Sequence, residues 1–308
     1  MNNSNHQQIE IIHLDCEHFG GHAEHWKILT QDSDNDVTLW LQYALSSPSS
    51  PMGLCHDERQ LPKDVWLLQG PENSDVVINQ IVLVENHHPK SLKTAFPSFT
   101  SPYKVQAKIT RILSCTNNHE GVLQAELANG TVLYGYDSLF AVNQACYQAG
   151  KSYDIELSAF SYNLEKVPTT ETMQIDDPAA IHHHRALNDI LVDHQGKTPD
   201  NLQELLKQWQ PKNADDLQPV TIDISKMVAY LYGEHLGQED EAWFQGDIVG
   251  KSHYNLMGQN VIFYDVAIMR EENAQPIIVR MINHVGDKEY EVGDYVRGNI
   301  WLQFKIYD

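Results

Sequence analysis

Val105-Gln106-Ala107-Lys108-Ile109 and Phe244-Gln245-Gly246-Asp247-Ile248 carry one pattern: apolar, Gln, small, charged, Ile. A residue without a large side chain lets an opening strand bend around the corner of a closed sheet. Each stretch leads into a run of short strands, and each run ends on a turn and a long closing strand. Tyr147-Gln148-Ala149-Gly150 precedes Tyr153, Ile155 and Leu157. Tyr290-Glu291-Val292-Gly293 precedes Tyr295, Ile300 and Leu302, with a different spacing after the glycine. A match at both ends predicts an internal repeat.

Working outward, residues 105–113, 122–127, 131–136 and 152–160 read as strands, with Asn129-Gly130 as a hairpin signal. Residues 138–148 have room for one or two helical turns. A unit of this size that opens on a bent strand and closes on Tyr-x-x-Gly plus a strand resembles the oligonucleotide/oligosaccharide-binding (OB) barrel or a related small barrel such as the SH3-like type. The resemblance is to an architecture and covers under half the chain. It implies two small β-barrel units, at 103–166 and 240–308.

Between them, 167–239 reads as a helical insert. Asp177-Pro178 starts one helix that runs toward Gly196. Thr198-Pro199 starts a second, with Leu202, Leu205, Leu206 and Trp209 as an apolar stripe and Pro211 as its end. A third is expected over 225–232. Residues 1–102 form a β-rich N-terminal region, with strands at 9–14, 64–68 and 76–84. Segments 26–29 and 37–43 flank Asp32-Ser33-Asp34-Asn35-Asp36 as a hairpin around a turn. The fold class is mainly β with a helical insert, α+β.

The 308 residues include 21 Lys and Arg against 42 Asp and Glu, a formal charge of -21. Such a field repels phosphate backbones and attracts basic surfaces, so nucleic acid is a disfavoured partner and a basic protein a favoured one. Cys16, Cys55, Cys115 and Cys146 show no paired spacing, and reduced thiols are expected. Without a signal pattern or a run of roughly 20 apolar residues, a cytoplasmic protein with no membrane contact is expected.

The densest set of metal-ligating side chains is His13, Cys16, His18, His22 and His25. Thiol and imidazole ligands suit zinc or another transition metal. Gly20-Gly21 argues against one unbroken helix, so a loop must gather them. The other motifs read as structure. Ala145 to Ser152 resembles a phosphate-binding loop but leads into a strand, where that loop needs a helix. His182-His183-His184 spreads around a helix, because consecutive residues point about 100° apart. Asp32 to Asp36 lacks the glycine and the closing Glu of a calcium loop.

In the last strand, Ile300 and Leu302 share one face, leaving Trp301 and Gln303 on the other. That alternation places Trp301 at the surface as an interface residue. The function expected from these features is that of a non-enzymatic acidic binding protein for a basic protein partner, in the manner of an immunity or inhibitor protein. The alternatives are a metal-dependent enzyme or metal-handling protein using the N-terminal histidines, and an OB-type nucleic-acid binder.

Overall fold

The computed structural model describes residues 8–15, 21–55, 57, 59–72, 74–199, 201–232, 238–256, 258–270 and 275–307. They divide into two compact units, 1–166 with 228–308, and 167–227. The protein is mainly β, as expected.

The first unit opens with β1 (Glu10–Leu14), α1 (Ala23–Leu29) and α2 (Ser33–Ser46). A small antiparallel sheet follows, of β2 (Val65–Gly70), β3 (Val76–Glu85) and β4 (His88–Phe99), in that order. Next come β5 (Lys104–Cys115), β6 (Gly121–Leu127), β7 (Val132–Asp137), α3 (Phe140–Asn143) and β8 (Ser152–Lys166).

The second unit contains β9 (Thr172–Ile175), α4 (Pro178–Asp193), α5 (Leu202–Gln208) and β10 (Val220–Asp223). The chain then returns to the first unit with β11 (Ala229–Tyr232), β12 (Glu241–Leu256), β13 (Gln259–Met269), β14 (Ile277–Ile282) and β15 (Tyr295–Ile306).

A mixed sheet of ten strands runs β1-β5-β6-β7-β15-β8-β14-β13-β12-β11, and β5–β8 and β15–β12 pair as well. Those extra pairings close the ladder on itself twice. One path runs β5-β6-β7-β15-β8 back to β5; the other runs β15-β8-β14-β13-β12 back to β15. Both contain the long antiparallel pair β8–β15, so each path needs a strand from the far end of the sequence.

The two opening strands bend alike. β5 shifts register between Ile109 and Arg111, and β12 between Ile248 and Gly250. Just before the β12 bulge, a Cβ on Gly246 would sit 2.0 Å from the Ala267 carbonyl oxygen, so only glycine allows that approach. One apolar core joins Ile109, Ile155 and Leu157 to Ile248, Val266 and Ile268 through Ile300, Leu302 and Phe304. A second core lies on the other side of the strands. It contains Tyr136, Phe160, Phe263 and Trp301 together with α1, α2 and the small sheet.

That second core corrects two expectations. Residues 26–29 and 37–43 are helical, not a hairpin. Val37, Leu41, Trp40 and Ala44 form a helical stripe against the core, and Asp34 and Asp36 occupy the positive end of α2. Trp301 is buried to 1% exposure, not at the surface. The alternation in β15 is as read, but both faces of the strand are covered.

In the second unit Asp177 caps α4, accepting from the Ala180 amide at 2.8 Å. Ala186, Ile190 and Leu206 pack α4 on α5. The helix expected over 225–232 is replaced by β11, which pairs with β12. The expectation of reduced thiols also fails: Cys55 and Cys146 form a disulfide, and Cys115 is disulfide-bonded too. Buried Asn143 sets up the first of these by accepting from the Leu54 amide at 2.7 Å and donating to the Ile306 carbonyl at 3.0 Å.

Candidate functional site

Of the five side chains expected to gather on a metal, Cys16 and His18 lie outside the described residues. His13 is exposed on β1. His22 and His25 do come together, on the first turn of α1, and their Nδ1 atoms are 3.0 Å apart. His22 Nε2 faces Glu120 Oε1 at 2.9 Å, and His25 Nε2 faces the Tyr162 hydroxyl at 2.9 Å. Tyr162 donates onward to Glu241 at 2.9 Å.

Every ring nitrogen of the pair thus already has a protein partner. Among the described residues, no group of three His, Cys, Asp or Glu converges to hold a metal ion.

Burial, assisted by His22, lowers the His25 pKa to about 2, so His25 is neutral within the hydrogen-bonded chain Glu120, His22, His25, Tyr162, Glu241.

Around the histidines stand Tyr136, which donates to Glu120 at 3.1 Å, and Trp301, whose indole N–H donates to Asp240 at 2.7 Å. Burial raises the Asp240 pKa to about 7, against the indole hydrogen bond that lowers it. Among the described residues its second oxygen has no partner, as suits a neutral carboxyl better than a charged one. His22, His25, Glu120, Asp240 and Trp301 are all buried, so this chain fastens α1 to the sheet and meets no ligand in this conformation.

The surface facing solvent on the same helical layer is different. A groove of about 520 Å³ lies between α2 and the end of β12, within the range of small ligand sites. Leu39 and Tyr43 are 60% and 56% exposed, although large apolar side chains one helical turn apart normally mark a covered face. Trp40 and Leu256 form the buried floor, Tyr254 and Pro71 the far wall.

Asp36 stands on the rim. It accepts from the Thr30 hydroxyl and from Gln259 Nε2 at 3.2 Å, which ties the start of α2 to the β12–β13 hairpin. Asp32 and Asp34 precede it, and between Lys27 and Arg59 the sequence contains no Lys or Arg. The groove therefore joins an apolar cleft to one carboxylate, that of Asp36.

Sequence reading missed this groove because it took the Asp-rich run for a turn. The available signal was the acid-rich first turn of a helix followed by the stripe Val37, Trp40, Leu41, Ala44. Against known protein families, curated proteins and solved structures alike, the chain gives no match.

Proposed function

We propose that this chain is a non-enzymatic, acidic binding protein that engages a basic protein partner, comparable in kind to an immunity or inhibitor protein. The observation that carries the reading is the groove at α2, where exposed Leu39 and Tyr43 lie beside Asp36. Apolar anchors in such a cleft would supply affinity, and the Asp36 carboxylate within the acidic field of the chain would help to select a basic partner. The formal charge of -21 extends that field over the molecule.

We read the two closed strand paths as five-stranded barrels of OB type, with β8 and β15 each serving both. In that reading the matching openings at Val105 and Phe244 are copies of one unit, and the segment 167–227 is an insert between them. OB-type barrels serve many ligands, so the architecture alone does not choose one. The charge opposes nucleic acid. The metal reading loses support from the engaged ring nitrogens of His22 and His25.

The disulfides favour an oxidising compartment over the cytoplasm, because such bonds persist where thiols are not kept reduced. No helix among the described residues is long and apolar enough to cross a membrane. The test is capture at low salt by the wild-type chain and by a Leu39→Ser, Tyr43→Ser variant. A cationic protein retained by the first and lost from the second supports the reading; equal retention by both counts against it.

A further inference from the structure

We propose that the free edge of β12, at Lys251, His253 and Asn255, takes up an extended basic segment of a protein partner as an added parallel strand. The inference rests on the binding reading above and names how the partner is held.

The precedent lies within the same molecule. β1 pairs in parallel with β5, with Glu10 opposite Arg111 through Leu14 opposite Cys115, directly after the β5 bulge. At the end of this ladder the Thr116 amide donates to the Leu14 carbonyl at 2.9 Å. The corresponding stretch of β12, directly after its own bulge, is Gly250 to Tyr254. It pairs with β13 on one flank. On the other, β15 reaches only as far as Asp247. Ile248 then exchanges backbone bonds with Gly293 and Asp294, and among the described residues no strand continues the ladder.

Alternation identifies the groups left at that edge. The Asn283 amide donates to the Ile262 carbonyl, so Ile262 faces β14, and Val261 and Phe263 face β12. Their partners Tyr254 and Ser252 are thereby committed to β13. The N–H and C=O groups of Lys251, His253 and Asn255 point to the open side. An extended peptide needs such a row of donors and acceptors to add as a strand.

Charge selects the peptide. Lys251 Nζ is held by Glu289 at 2.7 Å and Glu291 at 3.1 Å, and Glu289 also faces His253 Nε2 at 3.3 Å, so carboxylates line this flank of the strand. Tyr254, within the same stretch, also walls the groove whose rim carries Asp36. An added strand at this edge thus lies near Glu289 and Glu291, where its Lys or Arg side chains find carboxylates.

The test uses the full-length ¹⁵N-labelled chain and two capped peptides, one alternating Lys with Val and Ile, the other alternating Glu with them. The basic peptide is expected to slow amide exchange at Lys251, His253 and Asn255 roughly tenfold, and the acidic peptide to leave it unchanged. His253→Pro should abolish the protection and keep the β12–β13 ladder, since that amide is not used there. Should this variant unfold, the wild-type chain with a basic peptide N-methylated at alternate residues provides the same control, and loss of protection is again expected.

Protection by both peptides alike, or by neither, overturns the proposal. Shifts confined to Asp36, Leu39 and Tyr43 overturn the edge and leave the groove reading standing. Equal partner capture by the wild-type chain and the groove variant, with intact edge protection, does the reverse.

Discussion

The rings of His25 and Trp301 stack 3.6 Å apart and within 2° of parallel. One comes from the first turn of α1 and the other from the last strand, so this contact ties the two ends of the chain together in the second core. Trp301 also touches the rings of Tyr136 and Phe160. Trp301→Ala should cost about 3–5 kcal/mol, the range for emptying a core position of this size. Chemical denaturation of the purified variant measures it, and a loss within error of zero would remove Trp301 from the core account.

The same pair makes the fold sensitive to acid. His25 stays neutral when folded, with a pKa of about 2 against 6.5 unfolded, so only the unfolded chain binds this proton in between. Its contribution is whole above pH 6.5 and declines as pH falls toward the folded value. His25→Phe keeps a ring on Trp301 and removes the titration. The variant should start less stable at neutral pH, having lost two hydrogen bonds, and should then fall less steeply than wild type on acidification. Parallel pH-dependent melts decide this.

Asp240 has the opposite sign. Its folded pKa is about 7 against 3.8 unfolded, so stability is fully present below 3.8 and is lost as pH rises through about 7. Asp240→Asn retains an acceptor for the Trp301 indole and carries no charge. Relative to wild type it should gain stability between mildly acidic and alkaline pH. At about 1.4 kcal/mol per pKa unit, the gain is bounded at roughly 4 kcal/mol. A difference between the two chains that does not change with pH would mean Asp240 is ionised in the fold.

The Cys55–Cys146 bond spans 91 residues. Closing so long a loop restricts the unfolded chain, and removing such a bond typically costs about 2–5 kcal/mol. Cys55→Ala with Cys146→Ala should lower the melting temperature accordingly. Mass mapping without reductant should show the 55–146 linkage in the wild-type chain, and free thiols at both sites would contradict it.

Gly246 is the tightest point of the bent strand, since an added Cβ would lie 2.0 Å from the Ala267 oxygen. Gly246→Ala should destabilise by about 1–3 kcal/mol or more, the cost of overpacking a close-packed site. An unchanged melting temperature would show that β12 relaxes there freely.

How far the sequence was legible depends on how local each feature is. The strands from β5 to β8 and the Asn129-Gly130 turn were readable because alternation and turn chemistry act between neighbours, and Asp177-Pro178 marked the start of α4 for the same reason. Residues 37–43 were ambiguous. Val37, Leu39, Leu41 and Tyr43 alternate as a strand would, while Val37, Trp40, Leu41 and Ala44 repeat as a helix does, and packing on the second core favoured the helix.

The pairing of β8 with β15 was out of reach, because it joins residues over 100 positions apart and no pattern within either strand names the other. Trp301 was placed on the right face of β15, but nothing in that strand announces the layer that covers it. The disulfide partners were hidden similarly. Of the candidate metal side chains among the described residues, His22 and His25 meet, and the fold uses both to anchor α1.

The proposed occupant of the groove at α2 is a basic protein. The most direct measurement is the affinity of the captured partner for the wild-type chain and for the Leu39→Ser, Tyr43→Ser variant, across a salt series. The account predicts wild-type binding that weakens as salt rises and a variant weakened by at least about tenfold at every salt, equivalent to about 1.4 kcal/mol. Equal affinities for the two chains, or binding indifferent to salt, would contradict it.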